Sequence, residues 1–212
     1  MGREAKILLS IGAVIIVGVS ALIFASASKE QSQPKSDGTQ LVKSDSRQTN
    51  PGAKVTLVEF GDLECPACAQ AAPIITSVKN QYGQQLNFVF RHLPLQQHKN
   101  ARPAAEAVEA AGAQGKFFEM LDLLYAKQDE WKSDPNPIPK FVTYAQSLGL
   151  DGDKLKQSVE QKQFAKVIQR DYEDAMALNL NSTPSLFVNG QPVKDFTQLP
   201  QAVQAAMAAP QQ

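Results

Sequence analysis

Cysteine is scarce in this chain: 212 residues carry two, and both fall in one tetrapeptide, Cys65-Pro-Ala-Cys68. A small secreted domain stapled by disulfides uses several spaced pairs, so a disulfide framework is excluded. Histidine is equally rare, with only His92 and His98. A tetrahedral zinc site takes four ligands, and neither a second CxxC nor a histidine pair stands nearby. No metal and no cofactor are expected. Charge of one sign is missing too: Lys plus Arg equals Asp plus Glu, at 21 each. No basic stripe interleaves with aromatics, so nothing points to a nucleic-acid partner. Internal repeats are absent. The lack of stray thiols suits an oxidising compartment, where an unpaired cysteine mispairs.

Long hydrophobic runs are confined to the start. Arg3 and Lys6 precede an uncharged run of 22 residues, Ile7 to Ser28. At about 1.5 Å per residue such a helix reaches the ~30 Å of a bilayer's hydrocarbon core. Ala25-Ser-Ala27 also fits a signal-peptidase site. Ile7–Phe24 is longer than the usual signal core of about 7–15 residues, which favours an uncleaved anchor over a cleaved signal in residues 1–28. Arg3 and Lys6 argue for an inner N-terminus, although Lys29, Lys35 and Lys43 follow on the other side. Read as an export segment, it puts the bulk of the chain outside the cytoplasm. Residues 29–52 are polar and aperiodic and read as a flexible linker.

Beyond the linker the pattern alternates strand and helix. Residues 54–60, rich in β-branched and apolar side chains, predict a buried strand that Gly61-Asp62 ends. Pro66 suits a first helical turn; Ile74, Ile75, Val78 and Tyr82 recur at helical spacing before Gly83. Leu86–Arg91 predicts a second strand. A helical block follows: Phe117, Phe118, Leu121, Leu124 and Tyr125 form one apolar face, read as core, and Asp134-Pro-Asn-Pro137 a turn. Phe141, Val142, Ala145 and Leu148 belong to the next helix, and Leu155, Val159, Val167, Ile168, Tyr172 and Met176 mark one long helix. Ser185–Val188, the hairpin signal Asn189-Gly190 and Pro192–Phe196 predict two paired strands, with a closing helix through Leu199, Val203, Ala206 and Met207. The layout is βαβ, an all-helical insertion, then ββα.

The CxxC falls at the first strand-to-helix turn, and that position carries chemistry. A thiolate, not a thiol, attacks disulfides, so a working pair must lower the pKa of one cysteine. Free N–H groups and the dipole at a helix N-terminus favour negative charge on Cys65. Cys68, one turn inside, is placed to resolve a mixed disulfide. A half metal site remains the bland alternative for an isolated CxxC.

Two motifs, Val58-Glu-Phe-Gly-Asp-Leu-Glu-Cys-Pro-Ala-Cys68 and Ser182-Thr-Pro-Ser-Leu-Phe-Val-Asn-Gly190, resemble the thioredoxin superfamily and its DsbA-like branch. So do Arg91-His-Leu-Pro-Leu, an Ala-rich helix and Gln114-Gly-Lys-Phe-Phe. The resemblance implies an α/β thioredoxin fold, a central mixed sheet flanked by helices, over 53–209 with a helical subdomain inserted at about 97–181. It implies that Pro184 is a cis proline facing the CxxC and that Thr183 offers its backbone to an extended substrate. Glu59, six places before Cys65, holds the offset of an acidic residue buried beneath the active site, where it moves protons. Each has a plainer reading: a trans proline opening a strand, and a glutamate facing solvent. Glu64 reads as a solvated surface charge, and His92 and His98 as structural or surface residues.

The activity implied is thiol–disulfide exchange through a Cys65–Cys68 redox disulfide, donating disulfides to exported proteins with free cysteines. A membrane quinone-linked partner would recharge it. Ala67 stands where the family's best-known strong oxidant has histidine, which implies an oxidant of intermediate strength. A reductase or isomerase of the same fold is the nearest alternative; no dimerisation domain precedes the catalytic one, so a monomer is expected. A chaperone-like peptide-binding module with an inert disulfide is the alternative from another class.

Overall fold

In a computed structural model, residues 41–210 are described. The expected anchor or signal at 1–28, and the linker up to residue 40, lie outside them. Among the described residues no helix is long and apolar enough to cross a membrane.

Five strands form one mixed sheet in the order β1-β3-β2-β4-β5. They are β1 Arg47–Gln48, β2 Val55–Gly61, β3 Leu86–His92, β4 Ser185–Val188 and β5 Gln191–Val193. β2 runs parallel to β3, while the other neighbours pair antiparallel. Such a central strand is covered on both faces and reads as a near-continuous apolar run. Val58 and Phe60 pack with Val89, Phe187 and Leu178 on one side. Val55 and Leu57 face the larger core, with Ile75, Phe88 and Leu124. Strand alternation therefore turns Glu59 and Gly61 toward that larger core.

Eight helices are described: α1 Pro66–Tyr82, α2 Ala101–Gly112, α3 Phe117–Ala126, α4 Gln128–Trp131, α5 Ile138–Ser147, α6 Gly152–Glu160, α7 Ala165–Ala177 and α8 Leu199–Ala208. Cys65 is the N-cap of α1 and Pro66 occupies its first turn, where a missing N–H costs nothing. Gly83, at φ +52°, ends α1 in a conformation that side chains disfavour. Six helices, α2 to α7, lie between β3 and β4.

Three expectations need correction. The linker does not extend to residue 52: from Leu41 the chain is built into the domain. Leu41 is buried and its carbonyl accepts from Arg91. Arg47 donates to Glu109 at 2.9 Å, Gln48 accepts from Asn87, and the Thr49 hydroxyl accepts the Phe88 N–H. Partners about forty or more residues away hold this polar segment, which local composition does not reveal. The single long helix from Leu155 is two, α6 and α7. Lys162 takes φ +53° between them, and the buried carboxylate of Glu106 accepts the Phe164 N–H where α7 begins. The last strand is Gln191–Val193, with a 3-10 turn at Phe196–Gln198 started by the Asp195 carboxylate, which accepts the Thr197 N–H.

Candidate active site

The loop from β2 to α1 is fixed by buried polar groups. Asp62, 1% exposed, accepts the N–H of Glu64 at 2.8 Å and of Leu95 at 2.8 Å, and pairs with His98 Nδ1 at 2.7 Å. Its own carbonyl accepts the Cys65 N–H. Gln128 at the start of α4 donates to the carbonyls of Leu63 and Cys65. These bonds set the chain direction so that Cys65 ends the loop and Cys68 falls one turn into α1.

Both cysteines are free thiols, with Cys65 buried and Cys68 fully so. The Cys65 sulfur lies 3.5 Å from the carbonyl oxygen of Thr183, to which it donates when protonated. The Thr183–Pro184 peptide is cis, as the resemblance implies, and precedes β4. The Thr183 hydroxyl is buried without a hydrogen bond of normal geometry. The Cys65 thiol is held at about 5, against an ordinary 9.0. A hydrogen bond from the Cys68 thiol contributes most, opposed by burial; the nearby Thr183 hydroxyl and the N–H groups of Cys68 and Ala67 add to it. The second cysteine thus lowers Cys65 more than the N–H groups at the helix start do. Burial, and the hydrogen bond it makes to Cys65, push the Cys68 thiol well above the ordinary range. One sulfur is charged and the other neutral near pH 7, as an attacking and a resolving thiol require.

Glu59 is 1% exposed, which removes the solvent-facing alternative. Burial raises its pKa to about 8. The Tyr125 hydroxyl on α3 donates to Glu59 Oε1 at 3.4 Å. Gly61 is required here: a Cβ on it would stand 2.6 Å from the Phe90 ring, 2.8 Å from Glu59 Oε1 and 2.9 Å from Tyr125 Oη. Lys79 of α1 pairs with Asp122 of α3 at 3.4 Å and adds a smaller downward influence on Glu59.

Cys65, Cys68, Glu59, Thr183 and Pro184 thus meet around the N-terminus of α1. His92 and His98 hold structure: His92 is 3.0 Å from Glu109 beneath α2, and His98 orders Asp62. Glu64 is a partly buried charge rather than a freely solvated one. Its carboxylate accepts the Asn100 N–H at 2.6 Å where α2 begins, and burial raises its pKa. Sequence reasoning missed Asp62, Gln128 and Tyr125 as site residues. Asp62 had a cue in its place beside the CxxC; Tyr125 sits at core spacing and had none. Among the described residues no cluster of acidic, histidine and cysteine side chains suits a metal ion.

The family described as Thioredoxin matches residues 43–207. An "Na(+)/H(+) antiporter NhaA 1" of Mycobacterium sp. (strain KMS) is 43% identical over 148 residues, 67% of this chain. The chain spans only 23% of that relative's length. Among solved structures, a thioredoxin-like oxidoreductase from Silicibacter pomeroyi DSS-3 is 25% identical, with TM-score 0.65 over 84% of this chain and 100% of that one. Wolbachia pipientis α-DsbA1 is 18% identical, with TM-score 0.69 over 78% of this chain and 92% of that one, a likeness of fold.

Proposed function

The chain belongs to the thioredoxin family, and from that premise we propose that it is an extracytoplasmic thiol–disulfide oxidoreductase donating disulfides to exported proteins. The observation that carries the reading is the split between the two sulfurs: Cys65, the N-cap of α1 and 3.5 Å from the carbonyl before the cis Pro184, is held at about 5, while Cys68, fully buried one turn inside, is pushed up. A peptide-binding module with an inert disulfide has no use for such a split.

In the proposed cycle a substrate thiolate attacks Sγ of Cys65 in the disulfide form. The Cys65–Cys68 bond breaks and Cys68 leaves as a thiolate that takes up a proton, with Glu59 the buried group that supplies it. A second substrate thiolate then attacks the substrate sulfur and expels Cys65 as a stabilised thiolate, a good leaving group. The enzyme leaves with two electrons, which a membrane quinone-linked partner removes. The carbonyl of Thr183 beside Cys65, just before the cis Pro184 and β4, favours an extended substrate strand docking along the Thr183–Pro184 turn. An anchor in residues 1–28 would hold this domain at the outer face of the membrane, acting as a monomer. The antiporter name of the sequence relative belongs to a protein of which this chain covers less than a quarter, and ion transport is not part of the reading.

The test is trapping in cells. Cys68→Ala leaves Cys65 without its resolving partner and should accumulate mixed disulfides with exported proteins; Cys65→Ala should not. Adducts through Cys68 would reverse the roles. Wild-type protein found wholly reduced in cells, with trapped partners that are already disulfide-bonded, would promote the reductase direction.

A further inference from the structure

Tyr125 contributes to the site in a way that neither thiol exchange nor the buried glutamate requires. Its ring is 5% exposed and packs in the larger core. Its hydroxyl donates to Glu59 Oε1 at 3.4 Å, and burial, helped by the nearby Cys68 thiol in the same buried cluster, pushes the Tyr125 hydroxyl's pKa up. Packing alone needs no hydroxyl here; this one is aimed at a buried carboxyl, which would be costly to bury without a partner. The close approach is built in by the bare Cα of Gly61, since any Cβ there would meet both Tyr125 Oη and Glu59 Oε1 within 3.0 Å. Tyr125 also lines a cavity of about 450 Å³ between α1 and α3, with Ala69, Pro73, Thr76 and Asp122. Asp122 is partly exposed there, paired with Lys79.

We propose that Tyr125 relays the proton of the Cys68 step, its hydroxyl bridging Cys68 and Glu59 and its ring lining the cavity between α1 and α3. The inference rests on thiol–disulfide exchange as the activity. In resolution of a mixed disulfide, the Cys68 proton passes to the Tyr125 oxygen as the hydroxyl proton passes to the Glu59 carboxylate. The Cys68 sulfur then attacks Sγ of Cys65, the bond from Cys65 to the bound sulfur breaks, and that sulfur leaves as a thiolate. In the reverse direction, protonated Glu59 gives its proton to Tyr125, and Tyr125 gives its own to Cys68 as Cys68 departs. Electrons and protons balance without a further reactant. The groups that act on this hydroxyl are Glu59 on β2, Asp62 after it, and Cys68 in the first turn of α1. Lys79 on α1 and Asp122 on α3 complete the surrounding charges.

The experiment follows the reduced full chain reacting with glutathione disulfide, quenched in acid and read by mass spectrometry. Formation of the Cys65 adduct reports attack; its loss reports the Cys68 step. Tyr125→Phe removes one oxygen and should leave adduct formation within about threefold while slowing adduct loss about tenfold or more, the low end of general acid–base contributions. Wild-type adduct loss should rise with pH through about 8, where Glu59 gives up its proton, and that rise should flatten in the variant. Glu59→Gln with Tyr125→Phe should be no slower than the slower single variant, because the two act in series. Multiplying effects, or adduct loss unchanged in Tyr125→Phe, overturn the relay. Should Tyr125→Phe fail to fold, the wild type in heavy water decides: adduct loss slowed about twofold, with formation unaffected, supports the relay, and equal effects on both steps overturn it. Wild-type protein that forms neither the adduct nor the Cys65–Cys68 disulfide removes the underlying activity, and the relay with it.

Discussion

Alkylating the reduced protein with iodoacetamide between about pH 4 and pH 9 reads the charge on Cys65, since only the thiolate reacts. The neighbouring Cys68 stays silent, being fully buried and held neutral. At pH 7 a thiol with the ordinary pKa of 9.0 is about 1% ionised, whereas one at about 5 is about 99% ionised, a gain of about a hundredfold in reactive species. Nucleophilicity falls as basicity falls, with a Brønsted slope of about 0.4–0.5, and over that span of pKa the loss is roughly 40- to 100-fold. The two effects nearly cancel at pH 7, so the absolute rate there says little. The shape decides. A plateau is expected from about pH 6 to 9, with the rate halved near pH 5. A rate still climbing about tenfold per pH unit between about pH 6 and 8 would refute the assignment. Cys68→Ala removes the hydrogen bond that contributes most to the depression, so the midpoint should move up in that variant. The same shift makes the reduced form pH-sensitive. A group whose pKa is depressed by folding stabilises the fold fully above its unfolded value, near 9, and loses that stabilisation as pH falls through about 5. Between those limits the reduced protein should gain in melting temperature on the oxidised one as pH rises. At pH 7 the difference is about 2 kcal/mol after allowance for solvent screening, or about 40 mV toward oxidising power.

Two further substitutions test the buried floor of the site. Glu59 has the opposite sign: its pKa is raised, so its contribution is fully present below about 4.5 and is lost as pH rises through about 8. Glu59→Gln should therefore gain on the wild type as pH rises, by about 3 kcal/mol at pH 7 relative to pH 4, in urea titrations of the reduced protein; a difference independent of pH would mean that the carboxyl is not desolvated. Gly61→Ala forces a methyl against Phe90, Glu59 and Tyr125 and should cost about 1–3 kcal/mol by the same titration, while slowing adduct loss more than adduct formation. Equal stability would show that β2 shifts freely at this point.

The local record in the sequence was strong wherever one segment carried its own chemistry. The strand–CxxC–helix order, the placing of Cys65 at a helix start, the Asn189-Gly190 turn with both residues at positive φ, and the proline before β4 follow from residue types and spacing. The family resemblance added the cis peptide at Pro184 and the burial of Glu59, which alternation alone left open. Tertiary structure decided what depends on partners far along the chain. The segment from Leu41 is part of the domain because Glu109, Asn87 and Arg91 hold it, and its polar composition hides that. The helix after Gly152 breaks at Lys162 because Glu106, on a different helix, receives the Phe164 N–H. Glu64, beside the first cysteine, accepts the N–H of Asn100 where α2 begins, a partner that local sequence does not show. Tyr125 looks in sequence like any aromatic on an apolar face. Only the packing of α3 across β2, at the point where Gly61 lacks a side chain, brings its hydroxyl to Glu59. Periodicity tells which face of an element is buried, but not which polar atom of another element waits there; that is fixed when the helices between β3 and β4 close over the sheet.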